Sequence, residues 1–168
     1  LVVSNSKVFA RSNYNPNLYR SSIVVAGQGL DVVITNNYLE KDHPHIPGGI
    51  SANNIQINSS TSNVKIQNNI INEPHHTLVK APFETLVTNN HSVTSNTSFL
   101  GGVVLLNTTT GDPLFVDGDP YKLAEGSPLI NAGTEDPRYN DRDGTRNDIG
   151  PSGGSWYDPE GWTTEKPV

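Results

Sequence analysis

One short pattern recurs four times along the chain: an apolar residue, a polar residue, Asn, then a small or amide residue. It reads Val3-Ser4-Asn5-Ser6, Ile34-Thr35-Asn36-Asn37, Ile66-Gln67-Asn68-Asn69 and Val87-Thr88-Asn89-Asn90. Repetition of this kind constrains a fold more than local propensity does, because each repeat must bury its apolar face against its neighbours. The matched Asn residues are 31, 32 and 21 positions apart. The shortest interval is close to the roughly 20 residues of one solenoid coil, and the excess reads as loop. Asn tolerates left-handed backbone angles at a bend, and its amide can hydrogen-bond the equivalent Asn one coil above and below. Asn5, Asn36, Asn68 and Asn89 are therefore expected to stack at one bend, stepped by about 4.8 Å.

Strand signals fill in the coil around each Asn. Short β-branched runs precede it (32–34, 64–66, 86–87), a second strand follows (38–40, 70–72, 91–94), and a third set lies upstream (23–26, 54–57, 77–80, 103–106). In Asn54-Ile55-Gln56-Ile57 the alternation puts aliphatics on one face and amides on the other, as a half-buried strand requires. Three strands per coil, stacked in parallel, follow. Composition agrees, since 20 Asn and only 17% charged residues argue against Lys/Glu/Ala-rich helices. Cys and Met are absent, which excludes a disulfide scaffold, a thiolate metal site and a thiol nucleophile. No run of about 18 apolar residues is present, so no membrane span is expected.

Charge is unevenly placed. Residues 1–111 carry six basic and five acidic side chains, whereas 112–168 carry five basic and twelve acidic, giving −6 for the whole chain. Between Glu84 and Asp112 there is no formal charge at all, which a solvated helix would hardly tolerate and a stacked β structure can. No basic patch is large enough to cover phosphates, so nucleic acid is not an expected partner.

The repeats, together with Gly111-Asp112-Pro113-Leu114-Phe115-Val116-Asp117, Tyr121-Lys122-Leu123, Gly126 to Gly133 and Asp141 to Gly150, resemble the right-handed parallel β-helix superfamily of pectate lyases and related secreted polysaccharide-active proteins. The segment 111–150 is similar to the closing segment of many bacterial members. The resemblance implies an all-β chain: about four coils over 1–110, and a last coil and C-terminal closing loops over 111–150 that occlude the end of the core; residues 151–168 match no part of it and read as an extended tail. It also implies an extracellular, secreted protein associated with polysaccharide, without naming a reaction. Leu1-Val2-Val3 begins inside an apparent strand, with no signal peptide or amphipathic cap. The expectation is a C-terminal portion of a longer parent, with the parent's N-terminal part or a partner subunit covering the first coil.

In the deduced coil the long loop leaves the strand after the bend. Stacking crowds Arg11, Arg20, Lys41, Asp42, His43, His45, His75 and His76 at one corner, with Lys80 on an adjacent strand. Elimination on an acidic, uronate-containing glycan needs a base for the proton beside the carboxylate, a cation for the enolate-like intermediate and an acid for the leaving oxygen. Lys41, His43 or His45 supplies the base in this reading, and Arg11 or Arg20 pairs bidentately with the carboxylate. Asp42, His75, His76 and Lys80 are the candidate substrate-binding residues. Alternatives at this corner are Zn²⁺ on His43, His45 and the His75-His76 pair, a glycoside hydrolase using two of Glu40, Asp42, Glu73 and Glu84, and a non-catalytic binding or adhesion solenoid such as a phage tailspike.

Asp141-x-Asp143-Gly144 with Asp148 resembles the start of a Ca²⁺ loop, although Ser152 stands where an EF-hand needs Glu. The alternative is that these carboxylates cap turns or pair with Arg142 or Arg146. Trp156, Tyr157 and Trp162 read as a latch for the tail or as a sugar-stacking surface. Asn58, Asn90, Asn96 and Asn107 satisfy the N-glycosylation rule, a pattern this composition also yields by chance.

Overall fold

The computed structural model describes residues 2–11, 23–25, 31–42, 55–57, 63–72, 77–93, 98–117 and 119–155. Five strand pairs, each joined by two residues, make up most of it. They are β1 (Val2–Ser4) with β2 (Lys7–Arg11), β4 (Asp31–Thr35) with β5 (Tyr38–Asp42), β7 (Asn63–Gln67) with β8 (Ile70–Asn72), β9 (Thr77–Thr88) with β10 (His91–Ser92), and β11 (Ser98–Leu106) with β12 (Thr109–Thr110). Two short strands, β3 (Ile23–Val25) and β6 (Ile55–Ile57), precede the second and third pairs. The first residue of every two-residue link is left-handed: Asn5, Asn36, Asn68, Asn89 and Asn107 have φ of 47°, 55°, 56°, 52° and 53°. Asn is the non-glycine residue that takes this conformation most readily, which is why it recurs at the bend.

The chain is all-β, and its two large sheets are parallel. One contains β1, β4, β7, β9, β6 and β3, with β11 added on β9; the other runs β12-β10-β8-β5-β2. Register is carried from unit to unit: Ser4 faces Thr35, Thr35 faces Gln67, Gln67 faces Thr88 and Thr88 faces Leu106. The four expected Asn residues thus occupy one bend, and Asn107 adds a fifth. Residues 103–106, expected in the upstream set, instead pair with the stretch leading to Asn89. The shorter repeat interval also has a structural reason, because β9 runs unbroken beside both β6 and β7 and so joins two strand positions that are separate in earlier units.

Alternation places the core. Val32, Ile34, Val64, Ile66 and Val87 from one sheet meet Leu39 and Ile71 from the other and Ile55 and Ile57 from β6, all buried. Ile34 stacks on Ile66 and Leu39 on Ile71 in register, each buried aliphatic side chain stabilising the fold by about 1.5–3 kcal/mol relative to exposure. The opposite face of the second sheet is buried too. Tyr38 and Ile70 pack there against Leu129 and Ile149, and the Tyr38 and Phe115 rings meet edge-on at 5.7 Å.

That second cluster shows what residues 111–155 do. After the antiparallel pair β13 (Phe115–Val116) and β14 (Asp119–Leu123) and a 3-10 turn at Pro137–Tyr139, the chain lies along the flank of the units. It does not seal the end of the core as expected: Leu105, in register with the buried Val87, remains 44% exposed. Among the described residues no helix is long and apolar enough to cross a membrane.

Candidate functional site

Two rows of Asn side chains run down the bend, and they have different partners. The row that follows the left-handed residue forms the amide ladder. Asn37 Nδ2 donates to Asn69 Oδ1 (3.0 Å), and Asn69 Nδ2 donates to Asn90 Oδ1 (2.9 Å). Each of these oxygens also accepts the backbone N–H of the preceding Asn, both at 3.0 Å. The same Nδ2 groups donate to backbone carbonyls of their own and the preceding unit. Ser6 and Thr108 hold the equivalent positions in the outer units. The expectation that the left-handed Asn residues bond one another is therefore corrected by one position.

Left-handed Asn side chains instead hold the C-terminal segment. Asn89 Nδ2 donates to the Gly133 carbonyl (3.1 Å), Asn68 Oδ1 accepts from Thr134 N–H (2.9 Å), Asn36 Nδ2 reaches Asn147 Oδ1 and the Asp148 carbonyl (both 2.9 Å), and Asn5 Nδ2 reaches the Gly153 carbonyl (2.7 Å). The segment is a strap tied to each of four units by that unit's left-handed Asn. A Cβ on Gly133 would stand 2.6 Å from the Asn147 carbonyl oxygen, so the strap can pass here only on glycine.

Within the strap, of the three aspartates expected to bind Ca²⁺, Asp141 and Asp148 meet side chain to side chain, and all three accept hydrogen bonds from the chain itself. Asp143 accepts from Thr145 N–H (2.9 Å) and Oγ1 (2.6 Å), Asp148 accepts from Asn131 N–H (2.7 Å), and Asp141 accepts from the N–H groups of Asp148 and Gly154. Among the described residues no group of three His, Asp or Glu side chains is placed to hold a metal ion. Burial pushes the Asp141 carboxyl up to about 6, reinforced by the Asp148 and Asp143 charges and opposed by its two N–H donors. Burial raises Asp148 as well. Arg146, a candidate partner for these carboxylates, donates to the Gly133 carbonyl (2.6 Å) instead.

The expected catalytic corner is described at its strand ends. Arg11 closes β2 in register with Asp42, which closes β5, and Lys41 is in register with Ala10. Lys80 lies in β9 opposite Gln56 of β6 and Leu100 of β11. Arg20, His43, His45, His75 and His76 lie outside the described residues, as do Glu73, Trp156, Tyr157 and Trp162. The strands on either side of the three segments that carry Arg20 and these histidines are nonetheless neighbours. Segments 12–22, 43–54 and 73–76 leave from the neighbouring strands β2, β5 and β8 and rejoin at the neighbouring strands β3, β6 and β9.

The fifth histidine, His91, is part of the packing. Its ring is buried, with Nδ1 2.9 Å from Thr109 Oγ1 and Nε2 2.9 Å from the Gly111 carbonyl. Desolvation holds it below the ordinary histidine range. Asn90, one of the glycosylation matches, is buried in the ladder and closed to modification. A cavity of about 210 Å³ lies between Val2, Val33 and Thr35 on one side and Tyr139 and Gly154 on the other. It is below the roughly 300–1,000 Å³ of typical ligand pockets, and so it is a weaker candidate than the corner. In comparisons with known proteins, no family model, no curated protein and no solved structure matches the chain.

Proposed function

We propose that this chain is the C-terminal part of a secreted, right-handed parallel β-helix that acts on an acidic, uronate-containing polysaccharide, as a lyase. The observation that carries the reading is the shared departure and return of segments 12–22, 43–54 and 73–76 at register-matched strands. The segments in this reading bring together the cationic residues of a chain whose net charge is −6, and a local positive site on a negative body selects anions. In this reading Arg11 or Arg20 neutralises the uronate carboxylate, and Lys41, His43 or His45 removes the adjacent proton. Asp42, His75, His76 and Lys80 orient the sugar. Expulsion of the glycosidic oxygen, protonated as it leaves, creates a carbon–carbon double bond conjugated to the carboxylate.

The test is incubation of the chain, within its full parent, with a panel of uronate polymers while ultraviolet absorbance of the conjugated product is followed. Growth of that absorbance on at least one polymer, lost when Lys41, His43 and His45 are all replaced by Ala, is the expected result. Tight binding with no unsaturated product overturns the lyase assignment and leaves a non-catalytic carbohydrate-binding solenoid. New reducing ends without absorbance identify a glycoside hydrolase.

A further inference from the structure

The far end of the stack presents an unfinished edge. Among the described residues β11 pairs only with β9, so its outer side, nine residues long, carries no partner strand. The Leu106 carbonyl accepts from Asn89 N–H (3.0 Å), and strand alternation then turns the N–H and carbonyl of Leu105 toward the open side. Three successive apolar side chains are exposed at this edge: Val104 47%, Leu105 44% and Leu106 52%. At the ladder position of this last unit, Thr108 Oγ1 is buried without a hydrogen bond.

Long, apolar edges are ordinarily blunted with charge or proline. This one has neither: residues 85–111 contain no Lys, Arg, Asp, Glu or Pro, in a chain of net charge −6. The edge is therefore the face on which two negatively charged copies can meet without opposing like charges or desolvating an ion pair. The opposite end of the stack differs, since β2 contains Lys7 and Arg11.

We propose that the β11 edge pairs with the same edge of a second copy about a two-fold axis, β11 against β11 in antiparallel orientation. Such a contact is isologous, uses the edge on both copies and closes, whereas head-to-tail stacking on β1 would propagate into a fibre. The first sheet then continues across the axis, Leu105 is covered from each side, and the unpaired backbone groups of the two edges satisfy one another. The inference is independent of what the corner binds.

The experiment is sedimentation of the purified chain over a concentration series, compared with a variant carrying Val104→Lys and Leu106→Lys. Both positions are exposed, so the variant keeps its core, and unchanged circular dichroism checks this. The wild-type chain is expected at twice 18.2 kDa and the variant at the single mass, because paired lysines face each other across the axis. A second arm uses the absence of cysteine: Leu105→Cys, oxidised in air, is expected to form a covalent dimer. A monomeric wild type, a dimer that survives both lysines, or fibres that grow with concentration would overturn the proposal.

Discussion

Replacing Asn69 by Ala perturbs the ladder at its centre. The side chain is fully buried and takes part in five hydrogen bonds: its Nδ2 donates to the Ile34 carbonyl (3.0 Å), the Gln67 carbonyl (2.9 Å) and Asn90 Oδ1 (2.9 Å), and its Oδ1 accepts from Asn37 N–H and Asn37 Nδ2 (both 3.0 Å). An amide has two hydrogens, so one of them is shared between acceptors. Truncation does not strand every partner. Asn90 Oδ1 keeps the Asn69 N–H, and Asn37 Nδ2 keeps two carbonyls. The Asn37 N–H loses its acceptor, and the Gln67 carbonyl is left with a 3.4 Å contact from Asn36 N–H. Two buried polar groups at about 1–3 kcal/mol each, together with the hole left by the amide, give a cost of about 3–5 kcal/mol. At this chain length that lowers Tm by roughly 10–15 °C. Urea unfolding followed by far-ultraviolet circular dichroism measures it, with Asn63→Ala as the control. The Asn63 amide bonds Asp31 at 2.8 Å but in solvent, so that variant is expected to stay within about 0.5 kcal/mol of wild type. A loss below about 1 kcal/mol for Asn69→Ala would refute the ladder as a source of stability.

Asn36→Ala should cost about 1 kcal/mol more than Asn36→Gly, because both lose the strap bonds but only Ala must hold φ near 55°; equal melting temperatures would contradict this. The Asp141 carboxyl is raised to about 6 in the fold, so its stabilising effect is complete below the unfolded value near 3.8 and is lost as pH rises through about 6. The melting temperature should accordingly fall between pH 5 and pH 7, and it should fall by less in Asp141→Asn. His91 has the opposite sign: its folded pKa is depressed, so its contribution is present above 6.5 and lost as pH falls through the folded value. Its imidazole resonances should titrate below the ordinary histidine value, and titration at 6.5 or above would show that the ring is not desolvated.

The parts of the fold legible in the sequence were those governed by local backbone chemistry. Asn5, Asn36, Asn68 and Asn89 announced the bend because few residues tolerate left-handed angles, and the β-branched runs around them announced strands of period two. Asn107 escaped because Leu106 and Thr108 stand where the other units carry a polar residue and, in the inner units, a second Asn. Which Asn row would form the ladder was not legible either, since Asn36 and Asn37 are chemically identical and only the direction in which the bend aims each side chain separates them. The strap was misplaced for a similar reason. Its aspartates and glycines read as loop, while its destination is set by long-range contacts of Leu129 and Ile149 with Tyr38 and Ile70, which no local pattern encodes. Of the corner residues, Arg11 and Asp42 end neighbouring strands in register.

The central claim is that aligned segments make one anion-selective corner, and calorimetric titration of the chain with a uronate oligomer tests it most directly. The wild-type chain should bind with an affinity that falls as salt is added, and the Arg20→Ala, Lys41→Ala double variant should bind more weakly while its melting temperature stays unchanged. Equal affinity in the two proteins, or binding insensitive to salt, would contradict the account.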